Sequence, residues 1–289
     1  MSSKHPLPHV QNVLAVASGK GGVGKTTVTV NLALALRALG AAVGIFDADI
    51  FGPNVPLMLG VHRRKPGQGY VPTVRRKGAA PTIQPLERFG LKIMSMGFIV
   101  AEDQVINTLA EVAGQVVVET LRSVMWGGLD YLLLDLPPSA GQPQQGLLDS
   151  GVLDGVLVVT TPQDLSLLDS ARSLLRYTQA GVPILGLVEN MSFFICPGCG
   201  ERHEIFQHSS QWRPESLQSV AVLGRIPLTA DISRGIDRTH PLMAGFEAVT
   251  PHPAGQNAQA EAFMGIARAV RDRLDRPEPS TDRRNGELS

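Results

Sequence analysis

Cysteine, aromatic residues and net charge are all scarce in this sequence. It holds two cysteines in 289 residues, aromatic residues make up 5%, and 26 acidic residues balance 26 basic ones. Two cysteines cannot form the disulfide framework of a small secreted protein. A balanced charge gives no overall attraction to nucleic acid or to an anionic membrane. The short basic runs 63–65 and 75–77 have no aromatic ladder beside them, so we interpret them as solvated loops.

A long hydrophobic run is also missing. The longest apolar stretches have the length of strands, and Met1 to Asn12 contain no apolar signal region. Hydrophobic residues still make up 43% of the chain and charged residues 18%, which is enough for a full core. These features predict a cytoplasmic protein that has neither a membrane nor a nucleic acid as partner.

Short apolar runs alternate with helical patterns along the chain. The predicted strands are Val13–Ala17, Val43–Phe46, Ile93–Met96, Tyr131–Leu134, Val156–Thr160, Ile184–Val188 and Val220–Ile226. The predicted helices are Lys25–Leu39, Gln104–Met125, Leu165–Gln179 and Ala258–Leu274. Alternation of this kind, with strands apolar on both faces, predicts an α/β fold: a mostly parallel sheet flanked by helices on both faces in three layers.

The domain organisation is predicted to be simple. One domain covers residues 1–275, with a cysteine-containing loop near 191–211. Residues 51–90 are rich in proline, glycine and arginine and are expected to form a long excursion. Residues 276–289 are charged and contain proline, which predicts a disordered tail without the apolar face of a membrane-binding helix.

A phosphate-binding loop is the strongest motif. The segment Gly19–Thr26 fits G-x-x-x-x-G-K-[ST] and lies between a predicted strand and a predicted helix. Its backbone N–H groups and the helix N-terminus suit the phosphates of ATP. Lys25 is expected to be solvated and to reach the β- and γ-phosphates, and Thr26 to bind Mg²⁺. The predicted nucleotide contacts in the loop are Gly19, Gly21, Gly22, Val23, Gly24, Lys25, Thr26 and Thr27.

Acidic residues end two of the predicted strands. Asp47 and Asp49 follow the second strand, and Asp135 closes the apolar run Tyr131–Leu134. Ligands bind at this edge of parallel sheets, and the Asp135 carboxylate is expected to hold the Mg²⁺ shell. Either acid alone could simply stabilise a turn, but together with a phosphate loop they indicate a nucleotide site.

Several motifs occur in order and together resemble the Mrp/ApbC family of iron–sulfur cluster carrier ATPases. They are Asp47–Asn54, Met94–Phe98, Asp135–Pro138, Glu189–Ser192 and Cys196–His203, and the resemblance runs from about Val13 to Ala269. The lysine early in the phosphate loop, Lys20, is similar to the deviant Walker motif shared with partitioning ATPases and the nitrogenase iron protein.

The resemblance implies roles for five residues. Lys20 crosses a dimer interface to the nucleotide of the second chain, and Asp49 orients the attacking water. Asp47 supports Mg²⁺ or the lysine contacts, Asp135 lies in a Walker-B-like strand, and Asn190 reads the adenine ring. The implied partners are a second copy of the chain and apo iron–sulfur proteins that receive the cluster.

The sequence departs from the family pattern in three places. Ser139–Gln142 replaces the Gly-Thr-Gly-Asp expected after Asp135–Pro138, and Asn107–Ala110 replaces a Trp-Arg-Gly-Pro stretch. Gln207–Gln211 replaces a glycine-rich turn. The first segment is the loop expected to sense the γ-phosphate, so we predict slow ATP hydrolysis, near the low end of P-loop enzymes.

Cys196 and Cys199 form a C-x-x-C pair. A [4Fe–4S] cluster or a tetrahedral zinc site can use four thiolates, and one chain supplies two. A two-fold dimer supplies all four, which favours a cluster shared by two chains. An intrachain zinc site completed by His203 and His208 stays open, and so does a thioredoxin-like redox pair.

The sequence therefore predicts a homodimer that binds ATP and Mg²⁺ and delivers a labile [4Fe–4S] cluster, with weak ATPase activity. Two alternatives remain. One is a partitioning or positioning ATPase that binds DNA or membrane, against which the cysteine pair and the missing amphipathic tail count. The other is a zinc-stabilised, nucleotide-dependent scaffold.

Overall fold

The computed structural model describes residues 7–61, 73–76, 81–99, 112–138, 141–196, 198–206, 214–229, 240–245 and 258–275. Several segments discussed above lie outside these ranges, namely the basic run 63–65, residues 107–110, 139–140 and 207–211, and the tail 276–289. The predictions for these segments stay predictions.

Twelve strands are present in the described ranges. They are β1 (Val10–Ala17), β2 (Val43–Asp47), β3 (Val74–Arg76), β4 (Pro81–Ile83), β5 (Leu86–Arg88), β6 (Leu91–Ser95), β7 (Leu129–Asp135), β8 (Gly155–Thr160), β9 (Ile184–Glu189), β10 (Phe194–Ile195), β11 (Arg202–His203) and β12 (Val222–Arg225). Eight of them form one sheet in the order β12-β9-β8-β1-β7-β2-β6-β5. Only the edge pair β5–β6 in this sheet is antiparallel, which confirms the predicted mostly parallel sheet.

The helices run between and beside these strands. They are α1 (Lys25–Ala38), α2 (Val55–Met58), α3 (Ala113–Ser123), α4 (Gln142–Asp149), α5 (Asp164–Gln179), α6 (Glu215–Gln218) and α7 (Ala258–Leu274). Helix α1 packs against α7, α3 against α4, and α5 against β8. No helix in the described part of the chain is long and apolar enough to cross a membrane.

The central strands are buried along their whole length. Every residue of β2 and β8 is buried, and so is each residue of β7 except Asp130. Runs such as Leu132–Leu134 are apolar on both faces because both faces of a parallel sheet are covered. The core therefore lies on both sides of β1, β7 and β8.

The strand register brings the acidic strand ends together. Asp47 of β2 is the register partner of Asp135 of β7, and Ser95 of β6 is the register partner of Asp47. Val16 of β1 stands opposite Asp135 on its other side, just before the phosphate loop. Three neighbouring strands thus deliver their last residues to one edge of the sheet, where the loop after β1 also lies.

Two predicted elements have different bounds. The helix expected over Gln104–Met125 is described from Ala113 and ends at Ser123, because Val124 is extended and bridges to Ile83. The excursion at 51–90 contains α2, the β3–β4 hairpin and the edge strand β5. Its proline and glycine content concealed these short elements, whose strands are three residues long.

A close helix contact gives a test of the packing. Helices α3 and α4 approach at Gly114 and Gly146, where a Cβ on Gly146 would lie 2.7 Å from the Gly114 backbone. We expect Gly146→Ala to lower the free energy of unfolding by about 1–3 kcal/mol through overpacking. Gly265→Ala is the matched control, since Gly265 is a helical residue with open space around its Cα. It should raise the same quantity by about 0.5–1 kcal/mol. Equal effects of both variants in urea unfolding would contradict the contact.

Candidate functional site

The phosphate loop joins β1 to α1 and depends on its glycines. Gly22 and Gly24 have φ angles of 81° and 83°, a left-handed conformation that glycine adopts without strain. Gly19 lies so close to the α5 backbone at Asp169 that a side chain would collide with it. The loop is therefore held between the sheet and α5 in the strand–loop–helix arrangement that the motif requires.

Asn190, at the end of β9, supports the loop from the opposite side. Its buried side-chain amide donates a hydrogen bond of 2.8 Å to the carbonyl of Val23. The same amide fills the space that a Cβ on Gly24 would need. Asn190 thus fixes the loop backbone, and its predicted contact with adenine stays a prediction.

Lys25 and Asp135 form a buried ion pair beneath the loop. The Lys25 Nζ atom lies 2.7 Å from Asp135 Oδ1, and the two side chains are 6% and 1% exposed. Thr26 donates to Asp135 Oδ2 and Thr29 to Asp135 Oδ1, both at 2.7 Å. The expectation that Lys25 is solvated is wrong, because the strand end places Asp135 directly under the first turn of α1.

Asp47 is fully buried beside this pair. Its carboxylate accepts hydrogen bonds from the N–H groups of Asp49 and Val55 at 3.2 Å, and from the Ser95 hydroxyl at 3.1 Å. Burial raises the pKa of Asp47 to about 8, the charge of Asp135 adds to the rise, and Lys25 opposes it. Burial of Asp47 therefore favours its neutral, protonated form.

An open cleft of about 290 Å³ lies above these groups. It is lined by the phosphate loop, by Asp49, and by Asn54, Leu57 and Met58 around α2, with Ser18 and Pro138 beside them. The Asp49 carboxylate accepts from the N–H groups of Phe51 and Gly52, which fixes its position at the cleft wall. Lys20 is exposed at the rim.

The donor set under the cleft fits Mg²⁺. A hydroxyl oxygen and a carboxylate oxygen, from Thr26 and Asp135, are held 2.7 Å apart by one hydrogen bond. Mg²⁺ prefers oxygen ligands and usually keeps several waters beside one or two carboxylates and phosphate oxygens. The residues present therefore match the ion expected with ATP.

A second cluster lies on the β10–β11 hairpin. Its turn carries Cys196 and Cys199 and is closed by two backbone hydrogen bonds, Cys196 N–H to Glu201 and Gly200 N–H to Cys196. The N–H groups of Cys199 and Gly198, together with the Cys199 thiol, lower the pKa of the Cys196 thiol. A sulfur with a lowered pKa in an accessible turn is more readily a metal ligand.

The position of this turn is relevant to two alternatives, a thioredoxin-like redox pair and an intrachain zinc site. Cys196 follows the strand β10 and opens no helix, which is not the position of a thioredoxin-like cysteine. The ligand atoms of Cys199, Glu201 and His203 lie within 4.8 Å of one another. His208, which was considered with His203 as a zinc ligand, lies outside the described residues.

The structure thus combines a phosphate loop, a cluster of strand-end carboxylates and a surface turn with two cysteines. The family described as ParA-type NUBPL iron-transfer P-loop NTPases matches residues 9–270. The chain belongs to this family.

Two curated relatives of this chain have the same name. Proteins called iron-sulfur cluster carrier protein are 38% identical in Synechocystis sp. and 39% identical in Methanocaldococcus jannaschii. The first match covers 93% of this chain and 73% of the relative, and the second covers 82% and 79%. The resemblance drawn from the ordered motifs is thereby confirmed.

Solved structures agree on the fold. A nucleotide-binding protein from Archaeoglobus fulgidus, in complex with ADP and with cobalt found in it, superposes with a TM-score of 0.65 at 31% identity. The superposition covers 84% of this chain and 90% of that one. The cell division ATPase MinD of Pyrococcus furiosus superposes with a TM-score of 0.61 at 22% identity. The superposition covers 90% of this chain and 98% of MinD, and at this identity it shows a shared fold alone.

The sequence located most of this site but missed two hydroxyl groups. Thr29 shares the carboxylate of Asp135 with Lys25 and Thr26, and Ser95 holds Asp47. Thr29 lies one helical turn after Thr26, and Ser95 ends β6 next to β2, so helix spacing and strand-end position were the available signals.

The raised pKa of Asp47 predicts how stability depends on pH. Asp47 binds its proton more tightly in the folded than in the unfolded protein, so folding is favoured while the proton is present. The free energy of unfolding of the protein without nucleotide should therefore fall as the pH rises from 3.8, the ordinary pKa of an aspartate, to about 8. Asp47→Asn should therefore make the free energy of unfolding fall less steeply with pH than in the wild type.

Urea unfolding at several pH values between about 5 and 8 measures the effect. Asp149→Asn, which removes an exposed carboxylate on α4, is the control and should keep the wild-type slope. Parallel pH profiles for wild type and Asp47→Asn would contradict the burial of a protonated Asp47.

Proposed function

We propose that this protein is a homodimeric, ATP-dependent carrier of a labile [4Fe–4S] cluster. Each chain binds ATP with Mg²⁺ in the cleft above Lys25, and Cys196 and Cys199 of two chains hold one cluster between them. The cluster is cargo and passes to apo-proteins. The observation that carries the proposal is the accessible C-x-x-C turn in a member of an iron-transfer NTPase family, whose relatives are named cluster carriers.

Ligand counting supports a shared cluster. A [4Fe–4S] cluster takes four cysteine thiolates, and the chain contains two. A two-fold axis brings the same surface of two chains face to face, so that one short turn from each completes the set. The N–H groups that lower the pKa of Cys196 favour the thiolate that iron requires.

The position of the cysteines supports release. Cys199 is exposed and Cys196 is half-buried, on a hairpin of two-residue strands at the surface. A cluster held there by two backbone N–H donors and little burial stays accessible to the thiolates of a recipient. Buried clusters are retained by hydrogen bonds and solvent exclusion, and this turn offers few of either.

The nucleotide site uses groups that the ion pair already holds in place. Lys25 turns from Asp135 toward the β- and γ-phosphates, which carry more negative charge than one carboxylate. Thr26 and Asp135 would hold Mg²⁺, and the ion would neutralise negative charge on the phosphates. Glycine N–H groups and the start of α1 bind the remaining phosphate oxygens.

Hydrolysis requires a positioned water and a second cation. Asp49 lies at the cleft wall with its carboxylate fixed by two N–H donors, and we assign to it the orientation of the attacking water. Lys20 is exposed at the rim, and in the dimer it reaches the nucleotide of the other chain. A reaction that needs a group from the second chain proceeds only in the dimer.

ATP affects the cluster through the geometry of the dimer. A ligand shifts a conformational equilibrium only by its different affinity for the two states. Lys20 contacts nucleotide only when the two chains are closed together, so ATP favours the closed dimer. Hydrolysis removes that contact and favours opening, and opening separates the two cysteine turns that hold the cluster.

Reconstitution with iron and sulfide tests the carrier proposal. Under anaerobic conditions we expect four irons per dimer, with a visible absorption band from the cluster. Cys196→Ser and Cys199→Ser should each abolish the band and leave ATP affinity unchanged, because the phosphate loop follows another strand. Ser219→Ala, at an exposed position directly after α6, serves as the control that keeps all thiolates. A cluster retained in either cysteine variant would refute the shared site.

The rate of ATP hydrolysis tests the proposal that the protein is a slow ATPase. The intrinsic rate should fall in the range of unassisted P-loop NTPases, roughly 10⁻⁴ to 10⁻² per second. Asp49→Asn should lower it at least about tenfold while nucleotide affinity stays the same, since a group that positions water acts on the reaction and not on binding. A rate of many per second in the wild type, or an unchanged rate in Asp49→Asn, would count against the assigned role.

A further inference from the structure

The hairpin places a third and a fourth metal-binding side chain beside the cysteines. The ligand atoms of Cys199, Glu201 and His203 lie within 4.8 Å of one another, and all three residues are exposed. The His203 Nε2 atom is 3.8 Å from a Glu201 carboxylate oxygen. A thiolate, an imidazole and a carboxylate are the donors that zinc and similar divalent ions take.

Cys196 lies beside this group and is not one of the three residues whose ligand atoms are within 4.8 Å of one another. Its sulfur interacts with the Cys199 thiol and with the N–H groups of Cys199 and Gly198. Gly200, with φ of 75°, turns the chain so that β11 runs back along β10. The turn thus presents both sulfur atoms together, and the start of β11 adds nitrogen and oxygen donors beside them.

Side chains alternate between two faces along residues 201–204, so that the Arg202–Glu204 ion pair lies on one face and Glu201 and His203 lie on the other. Arg202 pairs with Glu204 and stacks 3.8 Å from the centre of the Phe193 ring. Glu201 and His203, the residues on either side of Arg202, point to the other face, as expected for an extended chain. Because Arg202 is engaged elsewhere, it does not neutralise the Glu201 carboxylate on the face that carries Cys199.

We propose that a single chain binds one divalent transition-metal ion, zinc or ferrous iron, through Cys199, Glu201 and His203. Three protein donors leave the fourth position of a tetrahedral site to water, so the site needs no second copy of the chain. The inference rests on the proposed function only in that the Cys199 thiolate serves both. A chain that holds the single ion cannot lend Cys199 to a shared cluster, so the two occupancies exclude each other.

Metal titration of the metal-free full chain tests this site. The protein is kept reduced, anaerobic and free of nucleotide, and cobalt(II) serves as the spectroscopic probe. We expect one cobalt per chain, with thiolate-to-cobalt charge-transfer absorption and the intense visible bands of four-coordinate cobalt. Separate titrations with zinc and with ferrous iron, each against a chromophoric chelator, then show which ion the site prefers.

Variants of the nitrogen and oxygen donors decide the assignment. His203→Ala should weaken zinc binding at least about tenfold, since changes even around a metal site cost 10- to 100-fold. Glu201→Gln should also weaken it, whereas the matched controls His240→Ala and Glu215→Gln, which change exposed residues outside the hairpin, should bind zinc as the wild type does. Unchanged affinity in His203→Ala, or one zinc per two chains in the wild type, would overturn the proposal.

Cluster reconstitution distinguishes the single-ion site from the shared cluster of the proposed function. If the shared cluster uses thiolates alone, His203→Ala should take up as much iron per dimer as the wild type while losing the single-ion site. If the wild type forms no cluster but binds one zinc per chain through His203, the proposed function is refuted and the single-ion site is supported. If the wild type forms the cluster but binds zinc equally well without His203, the single-ion site is refuted and the proposed function is supported.

Discussion

The buried ion pair between Lys25 and Asp135 holds the nucleotide site together. It joins the first turn of α1 to the end of β7, and the Thr26 and Thr29 hydroxyls complete the hydrogen bonds of the carboxylate. Removing one partner of such a pair leaves a buried charge uncompensated, typically at a cost of about 3–5 kcal/mol. Burial is the main cause of the raised pKa of Asp47 beside this pair, the charge of Asp135 adds to the rise, and Lys25 opposes it. Phosphate is an anion that can compete with Asp135 for Lys25.

Asn190 connects this buried centre to the exposed cysteine turn. It ends the β9 segment, donates to Val23 in the phosphate loop, and precedes Cys196 by six residues. The intervening chain is fixed by hydrogen bonds from Ser192 to Glu189 and Ile226, and Phe194 bridges to Leu228. A displacement of the phosphate loop therefore has a short, hydrogen-bonded route to the hairpin. This connection joins the phosphate loop to the turn that carries Cys196 and Cys199.

The fold and the nucleotide site follow from the sequence because their signals are local. Continuous apolar strands ending in Asp47 and Asp135 specify a parallel sheet with an acidic edge, and the glycine pattern specifies the loop. Burial of Lys25 does not follow from the motif, since it depends on the register between β1 and β7, which places Asp135 below the start of α1. The grouping of Cys199, Glu201 and His203 depends in the same way on the turn at Gly200. Short strands inside the proline-rich segment escaped prediction because three-residue elements carry too little periodicity.

The central claim is that ATP binds by taking Lys25 from Asp135, and isothermal titration calorimetry tests it most directly. Lys25→Gln keeps a hydrogen-bond donor for Asp135 but removes the charge, so the fold should survive, as circular dichroism can verify. Lys92→Gln, which alters a lysine bonded to the Trp126 carbonyl, is the control. The account predicts measurable ATP–Mg²⁺ binding in the wild type and in Lys92→Gln, and none in folded Lys25→Gln. Equal ATP affinity in all three proteins would contradict it.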